Sequence, residues 1–181
     1  LLSLLVLLPL AGVLGRDLLR RGAETWHLDK ANRAAAASPE RERHLLAAWE
    51  VEPGNAWTAY HIGELYRLRS FVGASGYEAL ARKAIEWFDR AAAIHPYHPA
   101  FRFRAGMCWD WLGEHARADE LFQKAHQLDP EGRITSFHMG WHELQKGNRD
   151  AAREWFTKSA EQGWPQYAPA VRYLEILRRP A

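Results

Sequence analysis

Ala84-Ile85-Glu86-Trp87-Phe88, Ala118-Asp119-Glu120-Leu121-Phe122 and Ala152-Arg153-Glu154-Trp155-Phe156 decide the fold, because they recur at intervals of 34 residues. Gly106 and Gly140 keep the same interval, as do Pro96 and Pro130. A fixed period of this length is what stacked helical units leave in a chain: no single unit buries its apolar face, and stacking does. Each repeated residue has a physical task. Gly lets two helices approach closely, and Ala four residues before Phe leaves space for the ring. Proline ends the second helix because it cannot continue one. Each buried Phe contributes roughly 1.5–3 kcal/mol.

The flanking sequence fills in the units. Residues 54–96 form the first, with Ala59, Ile62, Gly63 and Tyr66 in one helix and Ala84, Phe88 and Ala91 in the next. Gly63 and Ala84 are 21 residues apart, against 12 for Gly106 and Ala118. The extra residues predict a loop insertion near 69–77, where Gly73, Ser75 and Gly76 gather. Residues 97–130 and 131–165 form the second and third units, and 166–181 read as a capping helix with Val171, Leu174, Ile176 and Leu177 mainly on one side. Residues 20–53 read as a linking, degenerate helical pair. Its second helix starts at Ser38-Pro39, with Ser as N-cap and Pro in the first turn.

The Gly, Ala-x3-Phe and Pro pattern resembles the tetratricopeptide repeat (TPR) across residues 54–165. Arg102, Ser136 and Glu143 depart from it, standing where that family usually has large apolar or aromatic side chains. The resemblance implies an all-α, right-handed solenoid of helical hairpins that binds partners rather than doing chemistry. It also implies that the first helix of each repeat lines the concave surface. The inward positions recur at i, i+4, i+7 and i+8. They are Tyr60, Glu64, Arg67 and Leu68, preceded by Trp57; then Phe103, Met107, Asp110 and Trp111; then Phe137, Trp141, Leu144 and Gln145. The expected binding groove is therefore aromatic: Trp57, Tyr60, Arg67, Phe103, Arg104, Met107, Trp111, Phe137 and Trp141. Such a groove suits an apolar helix or peptide of a protein partner. It also suits a glycan or lipid-linked saccharide stacked on ring faces. Arg67 and Arg104 are too few to form a clamp for a terminal carboxylate. The competing reading is that these rings pack as core between neighbouring helices.

Composition narrows the function classes. With 48% apolar and 25% charged residues, the chain is a folded one. A net charge of +2, with both signs scattered, offers no field for nucleic acid. One cysteine, Cys108, excludes an internal disulfide and reads as a small buried filler. His138 and His142 have the spacing of a metal pair, but no third ligand stands at a sensible distance, so no metal is expected. No phosphate loop, nucleophile elbow or Cys–His arrangement is present, so neither a catalytic residue nor a cofactor is expected.

The chain opens on the uncharged run Leu1 to Gly15, followed by Arg16-Asp17-Leu18-Leu19-Arg20-Arg21. Residues 1–19 are expected to be the end of a transmembrane helix, with the arginines at the headgroups; a signal sequence and a buried helix of a folded domain are the rival readings. Together with Phe101 to Gly113, His138 to His142 and Ala152 to Phe156, this arrangement resembles the C-terminal tails of bacterial O-antigen ligase or polymerase-type membrane proteins. That resemblance implies an accessory domain of a glycan-transferring enzyme at the bacterial inner membrane. The alternative is a stand-alone, membrane-anchored adaptor that assembles a protein complex.

Overall fold

A computed structural model describes residues 2–73, 75–162 and 165–178, with side chains from residue 12 onward. The described residues form helices and turns, without strands. The helices are α1 (Leu2–Arg33), α2 (Pro39–Val51), α3 (Ala56–Ser70), α4 (Tyr77–Ile94), α5 (Pro99–Trp111), α6 (His115–Leu128), α7 (Arg133–Gln145), α8 (Arg149–Glu161) and α9 (Ala168–Arg178). Several starts are capped as the residues dictate. Ser38 Oγ accepts from the Arg41 N–H at 3.1 Å, with Pro39 in the first turn of α2. Asn55 Oδ1 accepts from the N–H groups of Trp57 and Thr58 at 2.9 and 3.3 Å.

Successive helices pair into antiparallel hairpins, α1–α2, α3–α4, α5–α6 and α7–α8. The close approach within the last three comes from the periodic residues. A Cβ built on Gly63, Gly106 or Gly140 would lie 2.6, 2.8 or 2.9 Å from the ring of Phe88, Phe122 or Phe156. Each ring fills the notch its glycine leaves and is buried. The α3–α4 hairpin keeps this pairing despite its insertion. The extra length is shared between a loop at 71–76 and longer helices, of 15 and 18 residues against 13 and 14 for α5 and α6. Phe71 and Tyr77, at the two ends of that loop, both meet the ring of Trp111, with centroids 5.1 and 5.6 Å apart.

The hairpins stack in two rows. In the row of first helices, Glu24 of α1 accepts from Thr58 of α3, Glu64 of α3 pairs with Arg104 of α5, and Phe103 of α5 stacks on His138 of α7. In the row of second helices, Trp49 of α2 meets Trp87 of α4, and His126 of α6 meets Trp155 of α8. Helix α9 closes the array on α8, where Tyr173 stacks on Phe156 with centroids 4.9 Å apart.

Helix α1 does not stop near residue 19 but continues to Arg33, through Arg16, Asp17, Arg20, Arg21 and Glu24. Among the described residues no helix is long and apolar enough to cross a membrane. The side chains of the most apolar part, residues 1–11, lie outside the described residues. From residue 20 the helix belongs to the first hairpin, where Arg20 Nη2 donates to the Val51 carbonyl at 3.0 Å. Before that point Val13, Leu14, Leu18 and Leu19 are exposed.

Candidate functional site

The row of first helices brings together the residues expected to form a groove, but it uses them in different ways. Arg67, Phe103 and Met107 are buried. The Arg67 guanidinium donates to both carboxylate oxygens of Glu64, at 2.8 and 2.9 Å, and lies over the Phe71 ring. Burial works against its charge, but the Glu64 carboxylate outweighs this and raises its pKa. Phe103 is stacked on His138 at 4.1 Å between centroids. Met107 packs with Ala118, Phe122, Ala125 and Met139.

Tyr60, Phe137, Trp141 and Arg104 are half-buried. Tyr60 touches Phe88 and Phe101, and Phe137 touches Phe156, Tyr167 and Tyr173. Trp141 joins the two apolar clusters on either side of α7. Arg104 lies between Glu64 Oε1 and Met107 Sδ, each at 3.5 Å. The open aromatic surface is carried by Trp57, 46% exposed, and Trp111, 39% exposed. Both are fixed from behind: Trp57 by Tyr60, His98 and Phe101, Trp111 by Phe71 and Tyr77.

Asp110, also expected to face inward, turns into the seam between hairpins. Its buried carboxylate accepts from His142 Nδ1 at 2.7 Å and from His115 Nδ1 at 2.9 Å. The other nitrogen of His142 donates to Asp119 Oδ1 at 2.8 Å, and the ring stacks on Phe122. Burial would lower the His142 pKa, but its hydrogen bonds to Asp110 and Asp119, and their charges, outweigh burial and raise it. Burial would likewise raise Asp119, and its bonds to Lys146 and His142 lower it instead.

Asp119, His142 and Glu143 offer ligand atoms within 4.8 Å of one another, the one such group among the described residues. A cation already bridges the carboxylates: Lys146 Nζ lies 2.8 Å from Asp119 and 3.3 Å from Glu143. With both ring nitrogens of His142 donating, the group has the chemistry of a salt-bridge network that joins α5, α6 and α7. His138 takes no part in it. That ring is buried against Phe103, and burial, with Arg104 and Arg67 nearby, pushes its pKa down to about 3. Cys108 is also buried, which pushes its thiol up to about 12 and makes it a poor nucleophile.

The residue pattern held no signal for the Asp110–His142–Asp119 bridge, because its members are 23 and 32 residues apart and meet only where hairpins stack. The same is true of Glu24, which reaches α3 from α1 across 34 residues.

No protein-family profile matches the chain, and no curated protein matches it. Solved structures do. A thermophilic TPR protein of Thermus thermophilus shares 17% identity, over 77% of this chain and 72% of its own, with a TM-score of 0.70. The crystal structure of MamA shares 23% identity, over 68% of this chain and 67% of its own, with a TM-score of 0.52. These matches lend no support to the O-antigen ligase resemblance. At such identities they speak for the backbone alone, and on that evidence the chain has the TPR fold.

Proposed function

We propose that the chain is a non-catalytic TPR scaffold that holds an apolar segment of a partner protein against its first-helix face. The observation that carries this reading is that Trp57 on α3 and Trp111 on α5 are exposed, while the other rings of those two helices are buried or half-buried. Large exposed aromatics backed by packed rings are what partner-binding surfaces present, because they bury much apolar area with little loss of freedom. Tyr60, Arg104, Phe137 and Trp141 flank them with partly open surface. Arg67, Phe103 and Met107 serve by fixing the helices rather than by touching the partner. A glycan or lipid-linked saccharide on the same indoles is the second ligand class.

The test is a photo-crosslinking amino acid at position 111, in extracts of the source cells. A protein adduct that Trp57→Ala and Trp141→Ala remove, with the far-UV circular dichroism and Tm unchanged, is the expected result. An adduct on saccharide alone would move the assignment to a glycan. Loss of fold in those variants would show that the rings are core.

The finer form of this proposal tethers the scaffold to a membrane through residues 1–19, as the accessory domain of an O-antigen-ligase-like protein. A stand-alone anchored adaptor is its alternative. Its support is the residue resemblance and the exposed Val13, Leu14, Leu18 and Leu19 near Arg16 and Arg21, a combination that suits anionic headgroups. Detergent-dependent extraction of a native polypeptide several times heavier than 20.8 kDa would support the ligase form. Extraction near that mass would leave the adaptor, and release without detergent would remove the tether.

A further inference from the structure

A second site lies where α1, α3 and the α4–α5 turn meet. It is a cavity of about 620 Å³ lined by Arg21, Glu24, Glu52, Trp57, Ile94 and His95, among others. Glu24 is its unusual member. The side chain is only 8% exposed, and both hydrogen bonds it receives end on Oε1, from Asn55 Nδ2 at 2.6 Å and Thr58 Oγ1 at 3.0 Å. Its second oxygen receives no hydrogen bond from the described residues, and Glu24 has no ion-pair partner among them. That oxygen is reached by solvent rather than sealed in, so it stays open to a ligand in the cavity. Glu52, the second carboxylate of the wall, is neutralised by Arg20 at 3.4 Å. The lining also includes the exposed indole of Trp57 and Ile94, itself 41% exposed, among polar neighbours such as Thr25, Asn55 and His95.

We infer that this cavity receives a lysine side chain of a partner protein, with its ammonium on Glu24 and its methylene stem against Trp57 and Ile94. An ammonium supplies the counter-charge that no described residue gives Glu24, and an indole face attracts the same cation. Arg21 lies at the wall without pairing to Glu24, so its charge opposes the incoming ammonium and weakens the site. The inference rests on the reading that the chain binds a protein segment; the cavity shares Trp57 with the aromatic face but includes neither Trp111 nor Trp141.

The probe is Nα-acetyl-lysine amide, titrated into the full chain while the Trp57 indole N–H is followed by NMR, with Nα-acetyl-norleucine amide as the uncharged control. The lysine amide is expected to move that resonance with saturation, and the norleucine amide is not. Glu24→Gln keeps an oxygen for Asn55 and Thr58 and removes the charge, so affinity should fall about tenfold or more. Arg21→Gln, an exposed change that leaves the fold alone, should tighten binding. Trp111→Ala should leave it unchanged, which separates this site from the aromatic face. An equal response to the norleucine amide, no saturable response, or full binding by folded Glu24→Gln would overturn the inference. If Glu24→Gln does not fold, failure of Arg21→Gln to raise affinity overturns it.

Discussion

His138 and His142 stand one turn apart on α7 and meet opposite surroundings. His138 lies flat on Phe103, its Nδ1 has no hydrogen-bond partner among the described residues, and burial drives it to the neutral form. His142 also lies flat on a ring, that of Phe122, yet both its nitrogens end on carboxylates and its pKa is raised. Both side chains are buried. Burial therefore does not by itself set the charge; the neighbouring helices do, by bringing or withholding a partner. The apolar end of the α5–α7 seam and its ionic end can be broken separately.

The largest effect is expected at the ring shared by the fold and the ionic end. Phe122→Ala opens the Gly106 notch and removes the platform of His142, and should cost about 3–5 kcal/mol in denaturant unfolding. A loss below about 1 kcal/mol would mean that the seam does not depend on the ring–glycine fit.

Asp110→Ala should come next. It removes the buried one of the two carboxylates on His142, leaving Nδ1 without an acceptor while Asp119 still holds Nε2, and leaves His115 without its acceptor; the change should cost about 3 kcal/mol. The double variant Asp110→Leu/His142→Leu should lose less than Asp110→Ala, because no orphaned charge remains. Equal or greater loss would show that packing, not charge, dominates this end.

The pH dependence should then separate the two histidines. The folded pKa of His142 lies above its ordinary 6.5, so its contribution is complete below that pH and is lost as pH rises through the folded value. His138 has a folded pKa of about 3 against an ordinary 6.5, so the unfolded chain takes up a proton that the folded chain refuses, and stability falls between those values as acid is added. Asp119, lowered in the fold, adds to the acid loss as pH falls through its folded value. Urea midpoints measured against pH should show His142→Phe flattening the alkaline limb and His138→Phe flattening the acid limb. The reverse assignment, or no change in either limb, would refute the contrast.

The smallest stability effect is expected on the open face. Trp111→Ala should cost less than about 1 kcal/mol, since surface changes away from seams usually do. A loss comparable to that of Asp110→Ala would place Trp111 in the core after all.

Much of this could be read from the chain before any coordinates. The 34-residue recurrence of Gly, Ala and Phe is legible, but spacing points to Ala118 as the space for the Phe122 ring, and the structure sets that ring against Gly106. Ser38-Pro39 announces a helix start by local hydrogen bonding alone. The open surface was less legible. Asp110 and Trp111 are adjacent in sequence and both sit at inward positions by spacing, yet one is buried and the other exposed. Helical spacing gives an angle around one helix; it does not say how near the next helix stands. The loop that backs Trp111 with Phe71 and Tyr77 comes from the preceding hairpin, and no local pattern could place it there.

The sequence by itself determined an all-α array of hairpins with its period, because that depends on steric rules that act within a repeat. Only the tertiary structure decided which of the periodic aromatics stayed open, that His142 would lie between two carboxylates and His138 against a ring, and that Glu24 would be buried. Those outcomes depend on side chains 23 to 34 residues apart meeting across stacked hairpins, where distance and desolvation, not spacing along the chain, set the energy.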